Sequence, residues 1–214
     1  MNGIRVLSVC LTIMASSGTG FGQDTRGAQE SAPREPVPAH GLRLPATYRG
    51  DLPCADCEGV RHHLDVWPDQ VFHLRREWVG KDHVRHDLGR WRVDPGRRAL
   101  VLYGGFEMPI SLEITGQDTL RQMDLQGRPI ESKLPYELKS DGTLTPTDLA
   151  MTFGGEVTVS AGGLRFTECL TGRTYTLSGG ADLDKLQRVV EGAVKEPGAP
   201  RYVTFDGTLT TPAA

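Results

Sequence analysis

Between Ala46 and Met123 the chain is a succession of short apolar runs, each alternating with polar residues and each cut off by turn formers, and this rhythm excludes most folds. The runs are Thr47 to Gly50, Arg61 to Trp67, Phe72 to Val79, Leu88 to Val93, Ala99 to Tyr103, Ile110 to Thr115 and Thr119 to Met123. His62, Leu64 and Val66 fall on one face of their run, with His63, Asp65 and Trp67 on the other; Ile110, Leu112 and Ile114 repeat the pattern. That is what a strand with one buried face requires. Pro68-Asp69, Gly80-Lys81-Asp82, Asp94-Pro95-Gly96 and Gly116-Gln117-Asp118 suit tight turns between antiparallel strands. No ten-residue stretch of 46–125 has helical period, so the spacing predicts six or seven strands closed into a barrel or folded as a sandwich.

The pattern thins around Lys133 to Pro146, where a domain boundary is expected. Beyond it Thr152-Phe153, Glu156 to Val159, Leu164 to Thr167 and Tyr175 to Leu177 read as strands. Leu183, Leu186, Val189, Val190 and Ala193 then fall at helical spacing behind the acidic start Asp182 to Asp184, and the helix is expected to stop near Lys195, before Pro197-Gly198. Tyr202 to Phe205 supplies a last strand. The expected fold is therefore mainly β: an antiparallel barrel over 44–140, then a smaller domain over 150–210, β with one helix, in the style of an oligonucleotide-binding fold.

Residues 1–22 have the three parts of a secretory signal: Arg5, the apolar run Val6 to Met14, and small residues at Gly20 and Gly22. The apolar run is too short to span a bilayer, and no later segment resembles a transmembrane helix. Residues 23–43, rich in Pro, Ala, Arg, Glu and Ser and without aromatics, read as a flexible leader. Leu7-Ser8-Val9-Cys10 has the leucine of a bacterial lipidation site but a valine beside the cysteine, which leaves a lipid anchor at Cys10 open. The formal net charge of −3, more negative once Arg5 is removed, argues against nucleic acid as a partner. Export carries the thiols into an oxidising compartment, where a nearby pair defaults to a disulfide.

Cys54 and Cys57 are two residues apart, in Leu52-Pro53-Cys54-Ala55-Asp56-Cys57-Glu58-Gly59 between two expected strands. Three readings stand side by side: a structural disulfide shaping the turn, a soft-metal site for Cu(I) or zinc, and a redox dithiol. Two thiolates seldom complete a metal site. Five of the six histidines lie within residues 62–86, which makes His62 and His63 candidate further ligands. On one strand they face opposite sides, so at most one can converge with the thiols. A thioredoxin-like dithiol needs a helix after the motif; here a strand is expected. Cys169 is left over in a turn between strands, with a half-buried thiol expected.

Tyr48-x-Gly50-x-Leu52-Pro53-Cys54-Ala55-Asp56-Cys57-x-Gly59-Val60, with the Gly80-Lys81-Asp82 turn and Gly89-x-Trp91, resembles the N-terminal domain of the NlpE family, the copper-homeostasis lipoprotein CutF. Phe166-x-x-Cys169-x-Thr171-Gly172-Arg173-x-Tyr175 with Val203-Thr204-Phe205-x-Gly207 is similar to the C-terminal region of longer members. The resemblance implies a small lipocalin-type barrel, copper linked to Cys54 and Cys57, and a protein of the periplasm or the periplasmic face of the outer membrane. It further implies a partner, the sensor of the Cpx two-component system, to which envelope stress is reported. Second-domain disulfides of the family have no counterpart here, since only Cys169 lies in that domain.

No Ser/His/Asp arrangement, phosphate-binding glycine loop or glycosidase carboxylate pair has a specifying spacing, so no enzyme is predicted. Two other functions remain as alternatives: a periplasmic thiol oxidoreductase, and a lipocalin-like carrier holding an apolar ligand in the barrel.

Overall fold

The alternating runs become strands whose apolar faces close on one another. A computed structural model of the chain describes residues 10–12, 40–105, 108–160, 163–179, 181–193 and 199–210. In chain order its elements are β1 (Cys10–Thr12), β2 (Ala46–Leu52), β3 (Val60–Val66), β4 (Val71–Trp78), β5 (Val84–Asp94), β6 (Ala99–Gly104), β7 (Ile110–Gly116), β8 (Thr119–Gln122), β9 (Glu137–Lys139), β10 (Leu149–Ser160), β11 (Gly163–Glu168), β12 (Thr174–Ser178), α1 (Ala181–Ala193) and β13 (Arg201–Thr210).

Strands β2 to β9 form a closed antiparallel barrel in which each pairs with the next and β9 returns to β2. Tyr48, Leu64, Leu74, Leu100, Leu112, Leu120 and Leu138 point inward and are almost fully buried. Burying side chains of this size contributes roughly 1.5–3 kcal/mol each. Closure depends on Gly50: a Cβ there would lie 2.3 Å from the Glu137 carbonyl oxygen, so only glycine lets β9 come this close to β2. The barrel begins before residue 44. Leu42 is fully buried in its core, and the His40 ring stands edge-on to Trp91 at 5.7 Å, so 40–43 belong to the domain rather than to the leader.

The second domain is built on β10, which pairs with both β11 and β13. Phe153, Phe166 and Phe205 stack at centroid distances of 4.9–6.5 Å in its core. Helix α1 places Leu186 and Val190 into that core, with Leu183 packed beside them and Val189 left exposed. Strand β1 completes this second barrel, antiparallel to β12 and parallel to β13. It is the only part of the expected signal, 1–22, that falls within the described residues, which also omit 23–39 of the expected leader and the expected helix stop at 195–198. Among the described residues no helix is long and apolar enough to cross a membrane.

The two domains meet on the outer face of β3, β4 and β5. Leu88 of β5 lies in the core cluster of the second domain. Asp69 and Arg173 form a two-pronged ion pair at 2.9–3.0 Å, with the Arg173 guanidinium over the Trp67 ring at 4.7 Å. Arg90 donates to the Thr171 carbonyl. Asp65, fully buried, accepts from the Thr47 hydroxyl and from the Thr147 N–H at 2.8 Å.

Candidate functional site

Strands β2 and β3 part after the Leu52–Val60 pair, and residues 53–59 loop out from the barrel end. Within this loop Cys54 and Cys57 form a disulfide. The loop is tied to the β4–β5 hairpin at two points: the Val79 N–H donates to the Gly59 carbonyl at 2.9 Å, and the Lys81 ammonium donates to the Asp56 carboxylate. Gly80, with φ +80°, makes the turn that carries Lys81, a left-handed conformation that favours glycine. The hydrogen bond and charge of Lys81 hold the Asp56 carboxyl below its usual range. A strand rather than a helix follows Cys57, so no helix dipole acts on either thiol.

The two sulfurs and an Asp56 oxygen lie within 4.8 Å of one another. Once reduced, two thiolates with a neighbouring carboxylate suit a soft ion such as Cu(I), whose ligand preference is for thiolate. In the disulfide the sulfurs are not thiolate donors. His62 and His63 do not join this group. His62 points into the barrel, donates through Nδ1 to the Val60 carbonyl at 2.8 Å, and is pushed down to about 4 by burial. His63 points outward, and its Nε2 donates to Thr145 O at 2.9 Å and Asp65 Oδ1 at 3.1 Å.

The remaining histidines have other duties as well. His86 accepts from the Ala150 N–H through Nδ1 at 3.0 Å, across the domain junction. His83 stacks on Trp78 at 4.5 Å. His73 is fully buried against Trp67, its ring nitrogens without a hydrogen-bond partner among the described residues, and burial with the nearby Arg173 charge lowers it to about 3. The histidine-rich run thus serves mainly the packing of one domain on the other. Sequence reasoning missed Lys81 as a partner of the cysteine loop, although the Gly-Lys-Asp turn was visible. Cys169, expected half-buried, is exposed, and its thiol is raised by desolvation and by Glu168.

Comparison with known proteins covers both domains. Residues 48–133 match the NlpE N-terminal domain and residues 148–214 the NlpE C-terminal OB domain. Lipoprotein NlpE of Escherichia coli K12 is 27% identical over 176 residues, 79% of this chain and 73% of that protein. Among solved structures, the Cpx pathway activator NlpE from Escherichia coli aligns with 24% identity over 76% of this chain and 92% of that one, at a TM-score of 0.37. A structure from Shewanella oneidensis aligns with 28% identity over 48% of this chain and 93% of that one, at a TM-score of 0.40.

Proposed function

Because the chain belongs to the NlpE family, we propose that it works in the cell envelope as a stress-reporting protein whose sensing element is the Cys54–Cys57 loop. The observation that carries this reading is the presence of both family domains in order, with the cysteine pair on a loop that stands clear of the packed core. The Escherichia coli relative is named a lipoprotein, and the structure of NlpE from that organism is titled a Cpx pathway activator. By that likeness the partner is the sensor protein of a two-component system, and the place of action is the periplasm or the periplasmic face of the outer membrane. No enzymatic step is invoked.

Copper enters this reading through the reduced loop. Exchange with an external dithiol, which is itself oxidised to a disulfide, supplies the two electrons and two protons that convert the Cys54–Cys57 disulfide to a dithiol, and Cys54 and Cys57, with Asp56 beside them, then take one Cu(I) as the thiol protons leave. This donor set replaces His62 and His63, which are committed elsewhere. Two measurements test the proposal. The reduced mature protein, titrated with Cu(I) against a chromogenic chelator, is expected to bind one ion that the Cys54→Ser/Cys57→Ser variant loses; equal binding by the variant overturns the copper reading. A Cpx-responsive reporter in cells lacking their own NlpE is expected to rise on expression of this chain; an exported, stable protein that leaves the reporter flat overturns the stress-reporting role.

A further inference from the structure

The second barrel is closed by a strand that the expected signal contributes. Antiparallel ladders join β10 to β11 and to β13, and β11 carries β12 at its other edge. Among the described residues the remaining edges of β12 and β13 do not pair with each other; β1 lies between them, antiparallel to β12 and parallel to β13. Leu11 is in register with Leu177 on one side and with Leu209 on the other, and both of these are buried in the core of the domain. The place for one more strand is thus made by β12 and β13, and residues 10–12 fill it.

Those residues lie inside the expected signal, 1–22, and cutting it on export takes β1 away. At Leu177 and Leu209 the ladder then loses its middle strand. A strand edge above an apolar core, with backbone groups that need answering, is a template for the addition of another strand. What the slot takes is read from what it holds. Strand β1 is the middle of the apolar run Val6 to Met14, which carries no charge. The residues in register with it, 176–178 and 208–210, are hydroxyl-bearing or leucine and carry no charge either, so nothing in the slot selects for an ionic ligand.

We propose that in the mature chain this slot binds an uncharged apolar segment of another exported polypeptide, added as a strand antiparallel to β12 and parallel to β13. Main-chain hydrogen bonds to the two edges supply affinity with little regard to sequence, and the buried Leu177 and Leu209 favour an apolar residue between them. Folded proteins bury such segments, whereas chains that have failed to fold expose them. The ligand is therefore an unfolded envelope protein. The inference rests on export with removal of the signal and uses no property of the cysteine loop. It deepens the stress-reporting role by naming the class of molecule that is reported, and its binding is read on purified protein, apart from the reporter that tests signalling.

The test uses the mature chain purified from the periplasm, its mass fixing where the signal was cut, and a fluorescent peptide of residues 5–15 with Cys10→Ser, flanked by lysines to keep it dissolved. Saturable one-to-one binding is expected by anisotropy. Leu11→Pro in the peptide should weaken it about tenfold, because a strand paired on both edges uses every N–H. The full chain with its signal uncut already holds β1 and should bind about tenfold more weakly than the mature chain; Leu11→Pro in that chain should restore binding. Hydrogen exchange should slow within 174–178 and 206–210 of the mature chain when the peptide is added. No saturable binding, equal binding by the proline peptide or by the uncut chain, or protection confined to other strands overturns the proposal. So does a mature chain that retains residues 10–12, or one whose slot amides are protected before peptide is added, by its own leader in a monomer or by a second copy in a dimer, as sedimentation distinguishes.

Discussion

Strands β3, β4 and β5 present two different chemistries on their two faces, one residue apart. Facing in, the row His62, Arg76, Arg85 stands at the edge of a cavity at the barrel's open end. Facing out, the rows His63, Arg75, His86 and Asp65, His73, Leu88 lie where the second domain and the linker at residues 145–148 come down on the barrel. The outward polar groups are answered by backbone from far along the chain, whereas inward Arg76 and Arg85 are both drawn to the carboxylate of their strand neighbour Asp87. The difference teaches that residue type alone does not assign these histidines and arginines to a site. The face does, and a one-residue slip would exchange the two chemistries entirely.

Acid should break the comparison most forcefully. His73 on the outer face and His62 on the inner face are both held neutral, at about 3 and about 4 against a usual 6.5. Below 6.5 the unfolded chain takes up protons at both rings while the folded chain does not. Stability is therefore full above pH 6.5 and falls as pH drops, by about 1.4 kcal/mol per pH unit for each histidine. The share of His62 ends near pH 4 and that of His73 near 3. Urea midpoints followed by tryptophan fluorescence from pH 7 to 4 should show this slope. His62→Gln should remove the inner half and His73→Leu the outer half. Replacing His73, whose ring nitrogens have no hydrogen-bond partner among the described residues, should also leave stability at pH 7 unchanged or improved. An unaltered slope in either variant means that face does not hold its ring neutral.

A smaller contrast comes from removing one charge from each face. Asp65→Ala takes away the acceptor shared by Thr47, Thr147 and His63 in a fully buried place, and should cost about 3 kcal/mol of unfolding free energy. Arg85→Ala, half exposed and loosely paired, should cost less than about 1 kcal/mol. Equal losses in urea titrations would mean the domain junction is no more tightly made than the barrel mouth.

The sequence spoke clearly wherever alternation and burial coincide. Strands β2 to β4 and β6 to β8 follow the apolar runs, and the cysteine loop sits where the motif lies. Strand β5 begins at Val84, earlier than Leu88, because Arg85 and Asp87 face inward as paired charges and so break the apolar alternation that marks a strand. Strand β9, Glu137–Lys139, offered only Leu138 as an apolar signal among turn formers, yet it closes the barrel. The fate of the histidines was illegible for another reason. His63 and His86 bond to residues 82 and 64 positions away, and no local pattern encodes which domain surface will cover a strand.

The smallest expected effect lies at the rim, where the cysteine loop meets the hairpin, and it separates a positioning residue from a stabilising one. Lys81 and Asp56 are exposed, so Lys81→Ala should leave the urea midpoint where it was. Its electrostatic effect is different. With Lys81 gone, Asp56 loses the cation that holds its carboxyl down, and the reduced thiols of Cys54 and Cys57 face that carboxylate with no compensating charge beside it. Thiolate formation becomes harder, so alkylation of the reduced loop by iodoacetamide at pH 7 should slow by a factor of about three. Lys81→Arg should restore the rate by returning the charge. A rate equal to that of the unaltered chain would mean that Lys81 only tethers the loop, and the tuning of the thiols would then rest on Asp56 and Glu58 alone.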